Sequence, residues 1–305
     1  MNRGKRCAAG VLALVCLCAA LCRMAAPVRA EEPPKPPVVR DENGLAAAQA
    51  VVYDTASDEI LFEKTVRTGK VCPASVTKLF TALVALLYLD PQTQVIAGEE
   101  LDFVAEDSSM AFIYRDQTVT VSMLVEGMLL PSGNDAAYIL ATAAGRKIAE
   151  DQSLQPGEAV TVFVKEMNVA ARAMGLTHTH FMNPDGYHMG SHYSSVEDLV
   201  KIAQAALENP VIARYAGTLR DDVTYVSGET NTWENTNALL DPESPYYRED
   251  ACGLKTGSTD EGGNCLLSAF RSGGKVIVIG ILGTQNGASR FVDAARLLDA
   301  WKENR

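Results

Sequence analysis

The sequence predicts an α+β domain: an antiparallel sheet flanked by helices, with an inserted, mostly helical lobe. Three observations predict it. Strand-like runs occupy both ends of the chain, helical periodicity fills the middle, and an amphipathic helix closes it. The length of 305 residues, with 47% hydrophobic and 21% charged content, suits one soluble domain with a real core. It excludes a disordered tail, a collagen-like rod and a polytopic membrane protein.

Residues 1–30 read as a secretory signal. Arg3, Lys5 and Arg6 form a basic start, Ala8 to Cys22 an apolar middle, and Val28-Arg29-Ala30 a small-residue cleavage site. The apolar stretch is short for a membrane span; left uncleaved, the same segment would serve as an N-terminal anchor. Residues 31–43 form a Pro-rich linker that holds the domain away from a surface. The folded domain is expected over 44–305.

Within it, Ala48 to Tyr53 and Ile60 to Glu63 read as a hairpin around the turn-forming Asp54 to Asp58. Pro73 precedes a helical stretch from Ser75 to Leu89 that is apolar on nearly every face, which places it in the centre of the domain, with Lys78 as its exception. Val121 to Leu130 and Asn134 to Gly145 are two helices broken by Pro131-Ser132-Gly133. Amphipathic helices follow at about Ala159 to Met174 and Ser195 to Leu207. The pattern then turns to strands at Asp222 to Val226, Cys252 to Thr256, Asn264 to Arg271 and Lys275 to Leu282, the last two joined by Ser272-Gly273-Gly274. Ala288 to Lys302 closes the sheet as a helix, with Phe291, Ala294, Ala295, Leu297 and Leu298 along its apolar side.

The net charge of −11 argues against a nucleic-acid partner. Loss of residues 1–30 removes five basic side chains and no acid, which deepens it to −16. An anionic substrate must therefore be held by a few local cations. Of seven cysteines, four lie in the signal, leaving Cys72, Cys252 and Cys265. Their spacing matches no zinc motif. Cys252 and Cys265 flank a turn, where they either face each other as a disulfide or pack as two small buried thiols.

The chemistry begins at Ser75-Val76-Thr77-Lys78, a hydroxyl and an amine on one helix face about a turn apart. Serine is a poor nucleophile until its proton has somewhere to go, and a lysine in an apolar helix is desolvated toward its neutral, basic form. The spacing alone is weak; Ser272 and Lys275 repeat it on a hairpin turn. What raises the first pair is its company in order: Ser132-Gly133-Asn134 at a helix break and Lys255-Thr256-Gly257 on a strand running into a turn.

With these three motifs the sequence resembles the penicillin-binding serine enzymes, whose signature is S-x-x-K, S-x-N and K-T-G. It is most similar to the low-molecular-weight D-alanyl-D-alanine carboxypeptidases, through Pro73-Ala74-Ser75, Leu130 to Ala137, Phe181-Met182-Asn183-Pro184-Asp185-Gly186, His192-Tyr193-Ser194-Ser195 and Lys255-Thr256-Gly257-Ser258-Thr259. The resemblance runs from about residue 44 to 302 and implies a β-lactamase/transpeptidase-like fold. It implies further that Ser75 attacks the penultimate D-alanine carbonyl of a peptidoglycan stem peptide and forms an acyl-enzyme, with Lys78 taking its proton. Ser132 then relays a proton to the departing D-alanine, and Asn134 holds a substrate amide and orients Lys78. Lys255 supplies positive charge for the terminal carboxylate, Thr256 and Thr259 hydroxyl donors, and the backbone N–H groups of Ser75 and Ser258, beside Gly257, an oxyanion site. Arg290 either faces the substrate carboxylate or is an ordinary arginine at a helix start. No cofactor and no metal are implied, and β-lactam antibiotics should acylate the same serine. Many relatives carry a further β-rich domain and a C-terminal anchor, neither of which precedes Arg305, so membrane contact is expected only through the N-terminal segment of a secreted or surface-held enzyme.

Rival readings can be weighed against this one. His178, His180, His188 and His192 fall close together, as in a zinc peptidase, but no H-E-x-x-H is present and His188 and His192 flank Gly190. A β-lactamase needs a second base for deacylation, for which Glu166-Met167-Asn168 is a poor match. A D,D-endopeptidase of the same fold, or a wall-binding protein with a retired site, would carry much the same sequence. Asn183 and Gly186 are expected to shape a loop under the site.

Overall fold

The computed structural model describes residues 44–65 and 69–304. The signal and the Pro-rich linker therefore lie outside the described residues. A five-stranded antiparallel sheet forms the centre, in the order β2-β1-β9-β8-β7, from β1 (Gln49–Asp54), β2 (Glu59–Lys64), β7 (Ala251–Thr259), β8 (Gly263–Ser272) and β9 (Lys275–Thr284). The two ends of the chain meet where β1 pairs with β9, Val51 opposite Gly280 and Val52 opposite Ile279. Period-two alternation gives the inner strands two apolar faces. Ala50, Val52, Leu266, Phe270, Ile277, Ile279 and Ile281 pack on one side against the closing helix α7 (Ser289–Glu303) through Phe291, Leu297, Leu298 and Trp301. Val51, Tyr53, Leu254, Leu267, Ala269 and Val278 face the helical lobe on the other side.

The lobe is built round α1 (Thr77–Ala85), in which all nine residues are buried, Lys78 included. Helices α2 (Val121–Leu129), α3 (Asn134–Ala149), α4 (Pro156–Ala173), α5 (Val196–Glu208) and α6 (Pro210–Ala216) enclose it. The central helix is shorter than the periodicity predicts. Ala74–Val76 is a 3-10 turn, and beyond Ala85 the chain tightens into i to i+3 hydrogen bonds, Leu87 N–H to Val84 O and Tyr88 N–H to Ala85 O. Two short pairs stand outside the main sheet: β3 (Gln94–Ile96) with β4 (Thr118–Thr120), and β5 (Arg220–Thr224) with β6 (Thr230–Glu234). The expected strand at 222–226 is thus half of a separate hairpin. Val223 is the only buried residue of β5, so it has no apolar face to offer the sheet.

Cys252 and Cys265 do not pair. Cys265 stands opposite Gly257, while Cys252 falls in a bulge between Ala251 and Gly253, five residues further along the strand, about 16 Å at strand spacing. Cys72, Cys252 and Cys265 are free thiols, and burial pushes the Cys265 thiol up to about 12.

Candidate active site

The three motifs converge between the sheet edge β7 and the lobe, and each sits on a non-glycine residue with left-handed backbone. Ala74 has φ +49, Ser132 φ +66 and Leu254 φ +83. Such conformations cost of order 1–3 kcal/mol each and persist only where the surroundings enforce them. At Ala74 the surroundings are two glycines. A Cβ on Gly186 would lie 1.9 Å from the Ala74 carbonyl oxygen, and one on Gly257 would lie 3.0 Å from Ser75 N. These close approaches hold the nucleophile turn between the 183–188 loop and β7, with the Ser75 side chain half-buried at its edge. At Leu254, the β7 bulge turns the strand just before Lys255.

Lys78 lies under Ser75. Its Nζ donates to Ser75 Oγ, Asn134 Oδ1 and the Asp185 carbonyl, each at 2.7 Å. Burial lowers its pKa to about 8, against the opposing pull of the Asp185 and Asp135 carboxylates. With one proton removed, the amine keeps two N–H bonds, to Asn134 and Asp185, and its lone pair is left facing Ser75 Oγ.

Asn134 opens α3 and is held from three sides. Its N–H donates to Ser109 O at 2.8 Å, its Nδ2 donates to Ser108 Oγ at 2.9 Å, and Oδ1 accepts from Lys78. The neighbouring Asp135 is fully buried and accepts from the N–H groups of Ala111 and Ile113 at 2.8 and 3.0 Å, fastening the 107–113 loop to the helix start. Asn183 shapes the loop beneath, accepting from Gly186 N–H and donating to Tyr187 O.

Lys255 is 1% exposed and donates to the Thr256 carbonyl at 3.1 Å. Burial, then the charges of Lys78 and Arg290, hold its ammonium well below the usual lysine range. Arg290, in the first turn of α7, donates to Gly257 O at 3.0 Å, Ser258 Oγ at 3.1 Å and Cys265 O at 3.4 Å, so its guanidinium braces the strand that carries Lys255. Thr256 Oγ1 bonds Thr236 Oγ1, and Thr259 Oγ1 accepts from Gly262 N–H beside the Cys72 thiol. A cleft of about 470 Å³ opens above this arrangement, lined by Ser75, Asn134, Ser258 and Thr259 among others.

A family model described as D-alanyl-D-alanine carboxypeptidase matches residues 37–286. The chain belongs to this family. It is 33% identical over 264 residues to the D-alanyl-D-alanine carboxypeptidase of Streptomyces sp. strain K15, covering 84% of this chain and 87% of that one. Its fold superposes on the crystal structure of the Streptomyces K15 DD-transpeptidase with TM-score 0.77 and 32% identity, over 85% of this chain and 98% of that one. The ampicillin-bound penicillin-binding protein D2 of Listeria monocytogenes gives TM-score 0.68 at 26% identity, with the same coverage. A D-alanyl-D-alanine carboxypeptidase of this family is a serine-type hydrolase with the penicillin-binding fold.

Within this carboxypeptidase two of the four histidines, His192 and His180, are held by protein groups. His192 is buried; its Nδ1 accepts from Met182 N–H at 3.2 Å, so the ring proton sits on Nε2 and is donated to Thr77 Oγ1 at 2.9 Å. Burial drives its pKa down to about 3, which keeps it neutral. His180 Nδ1 lies 2.8 Å from Ser191 O, and among the described residues no three His, Cys, Asp or Glu side chains converge. Glu166 accepts from the Tyr88 hydroxyl at the far end of α1, away from Ser75. Sequence reasoning missed Ser108, Ser109 and Asp107, which line the cleft. The only signal for them was Asp135, an acid placed straight after Asn134 that needs buried donors.

Proposed function

We propose that this chain acts outside the cytoplasm, after export directed by residues 1–30, and trims the terminal D-alanine from peptidoglycan stem peptides through an acyl-enzyme on Ser75. The observation that carries the reading is the 2.7 Å contact between Ser75 Oγ and a fully buried Lys78, whose pKa burial lowers to about 8. Neutral Lys78 takes the Ser75 proton as Oγ attacks the penultimate D-alanine carbonyl, and the oxyanion is met by the N–H groups of Ser75 and Ser258. The carbonyl re-forms as the C–N bond breaks; the proton passes through Ser132 to the departing D-alanine amine. Lys255, with Arg290 behind it, attracts the terminal carboxylate. Water then hydrolyses the ester and returns the proton to Ser75.

A β-lactam presents an amide carbonyl and a carboxylate in similar relation, so it should acylate the same serine. Slow release is expected, because Glu166 is bonded to Tyr88 and no other carboxylate contacts Ser75 among the described residues. The test is an intact-mass time course of residues 31–305 with benzylpenicillin beside Ser75→Ala, followed by D-alanine release from an acyl-D-Ala-D-Ala peptide. A lasting adduct of one penicillin and D-alanine release, both absent in the variant, are expected. An adduct that vanishes as antibiotic is consumed would instead mean a β-lactamase, and no adduct a wall-binding protein. Offering cross-linked and monomeric stem peptides side by side separates endopeptidase from carboxypeptidase action.

A further inference from the structure

We infer that Ser108, a residue outside all three motifs, is the positioning residue that sets the Asn134 amide against Lys78. The inference rests on the proposed role of Lys78 as the base. Lys78 needs an acceptor from Asn134, so Oδ1 must face Nζ, as it does at 2.7 Å. The Asn134 side chain is then obliged to send its NH2 the other way, into a site only 5% exposed, where an unmet donor is costly. Ser108 Oγ, 2.9 Å from Nδ2, is the acceptor that meets it. One N–H is satisfied by Ser108, the amide plane is fixed, and the second N–H is directed to the cleft that both residues line.

The loop bearing Ser108 is itself held against the site. Asn134 N–H bonds Ser109 O, and Asp135 holds Ala111 and Ile113. The Ala111 carbonyl accepts from both Trp233 Nε1 and Asn231 Nδ2 of β6, each at 2.8 Å. Two adjacent residues of the S-x-N helix thus grip one loop, one through its backbone and one through Ser108. Without the Ser108 oxygen the amide can rotate to find another acceptor, and Oδ1 leaves Nζ.

The consequence is readable in Lys78. Its neighbours are the Asp185 and Asp135 carboxylates, which favour the ammonium, the Lys255 ammonium, which opposes it, and neutral His192. Loss of an acceptor from Nζ removes a contact made to the charged form, so Lys78 titrates lower. The experiment follows the second-order rate of benzylpenicillin acylation from pH 6 to 10 in the wild type, Ser108→Ala, Ser108→Thr and Ser108→Val. Thr and Val have the same shape, so they differ only in the hydroxyl even if Ala disturbs the loop. The expected result is a plateau rate about tenfold lower in Ala and Val. Their acid-limb midpoint should fall by at least half a unit, and both should be restored in Thr. An unmoved midpoint in Ala and Val, with or without a slower plateau, overturns the proposal, as does a Thr variant that behaves like Val. If the wild type forms no adduct at all, it is the reading of Ser75 that has failed.

Discussion

A lysine works as a base near neutral pH only where its charged form is made costly and its neutral form is already aimed. Lys78 meets both conditions through burial and through two acceptors opposite Ser75. Its pKa of about 8 sets a prediction. The rate of acylation should rise close to tenfold per unit from pH 6 to about 7, pass half its maximum near 8 and level off above about 9, with the protonated form inactive; stopped-flow with a chromogenic cephalosporin checks it. A flat profile over that range would show that Lys78 is not the base. Stability has its own sign. The folded pKa lies below the ordinary 10.5, so between about 8 and 10.5 the unfolded chain holds the extra proton, and the Lys78 contribution to stability increases with pH across that window. Ser75, Lys78, Ser132, Asn134 and Lys255 stand out in the sequence because three motifs occur together in one order and resemble those of the penicillin-binding serine enzymes, the Ser75–Lys78 spacing alone being weak. Ser108 does not, since its partner is 26 positions away and a lone serine carries no pattern.

At the scale of elements, the nucleophile turn depends on backbone approaching backbone, which only glycine permits. Gly186 has φ +83, and its missing Cβ leaves room for the Ala74 carbonyl. Gly186→Ala should cost about 3 kcal/mol or more in urea unfolding and reduce acylation of the folded fraction at least a hundredfold, because Ala74 and Ser75 must move together. Gly175 provides the comparison: its φ is +70 but nothing lies within 4 Å, so Gly175→Ala should cost only about 1 kcal/mol and leave acylation unchanged. Equal losses in both variants would refute the steric argument. Apart from α6 (Pro210–Ala216), for which the sequence reading offered no element, the helices and the long strands could be read from their periodicity to within about four residues. The β3–β4 and β5–β6 pairs were less accessible, because three- and five-residue strands with at most one buried side chain leave too little alternation to detect.

For the whole molecule, the sheet separates two apolar layers, and the candidate site belongs to only one of them. On the far layer α7 is clamped to the N-terminal segment by Asp293, 1% exposed, whose Oδ2 accepts from Ala47 N–H at 2.8 Å. The same helix sends Arg290 over the edge of the sheet to Gly257 O, Ser258 Oγ and Cys265 O. The two attachments use different strands, so they should fail independently. Asp293→Ala leaves a buried N–H unmet and should lower stability by about 1–3 kcal/mol in chemical denaturation. Penicillin acylation per folded molecule should not change, because the anchors of Arg290 lie on β7 and β8 and not on the chain entering β1. A loss of acylation at full folding would mean that the far layer transmits its strain through α7 to the strand carrying Lys255, and that the sheet does not insulate the site from the packing behind it.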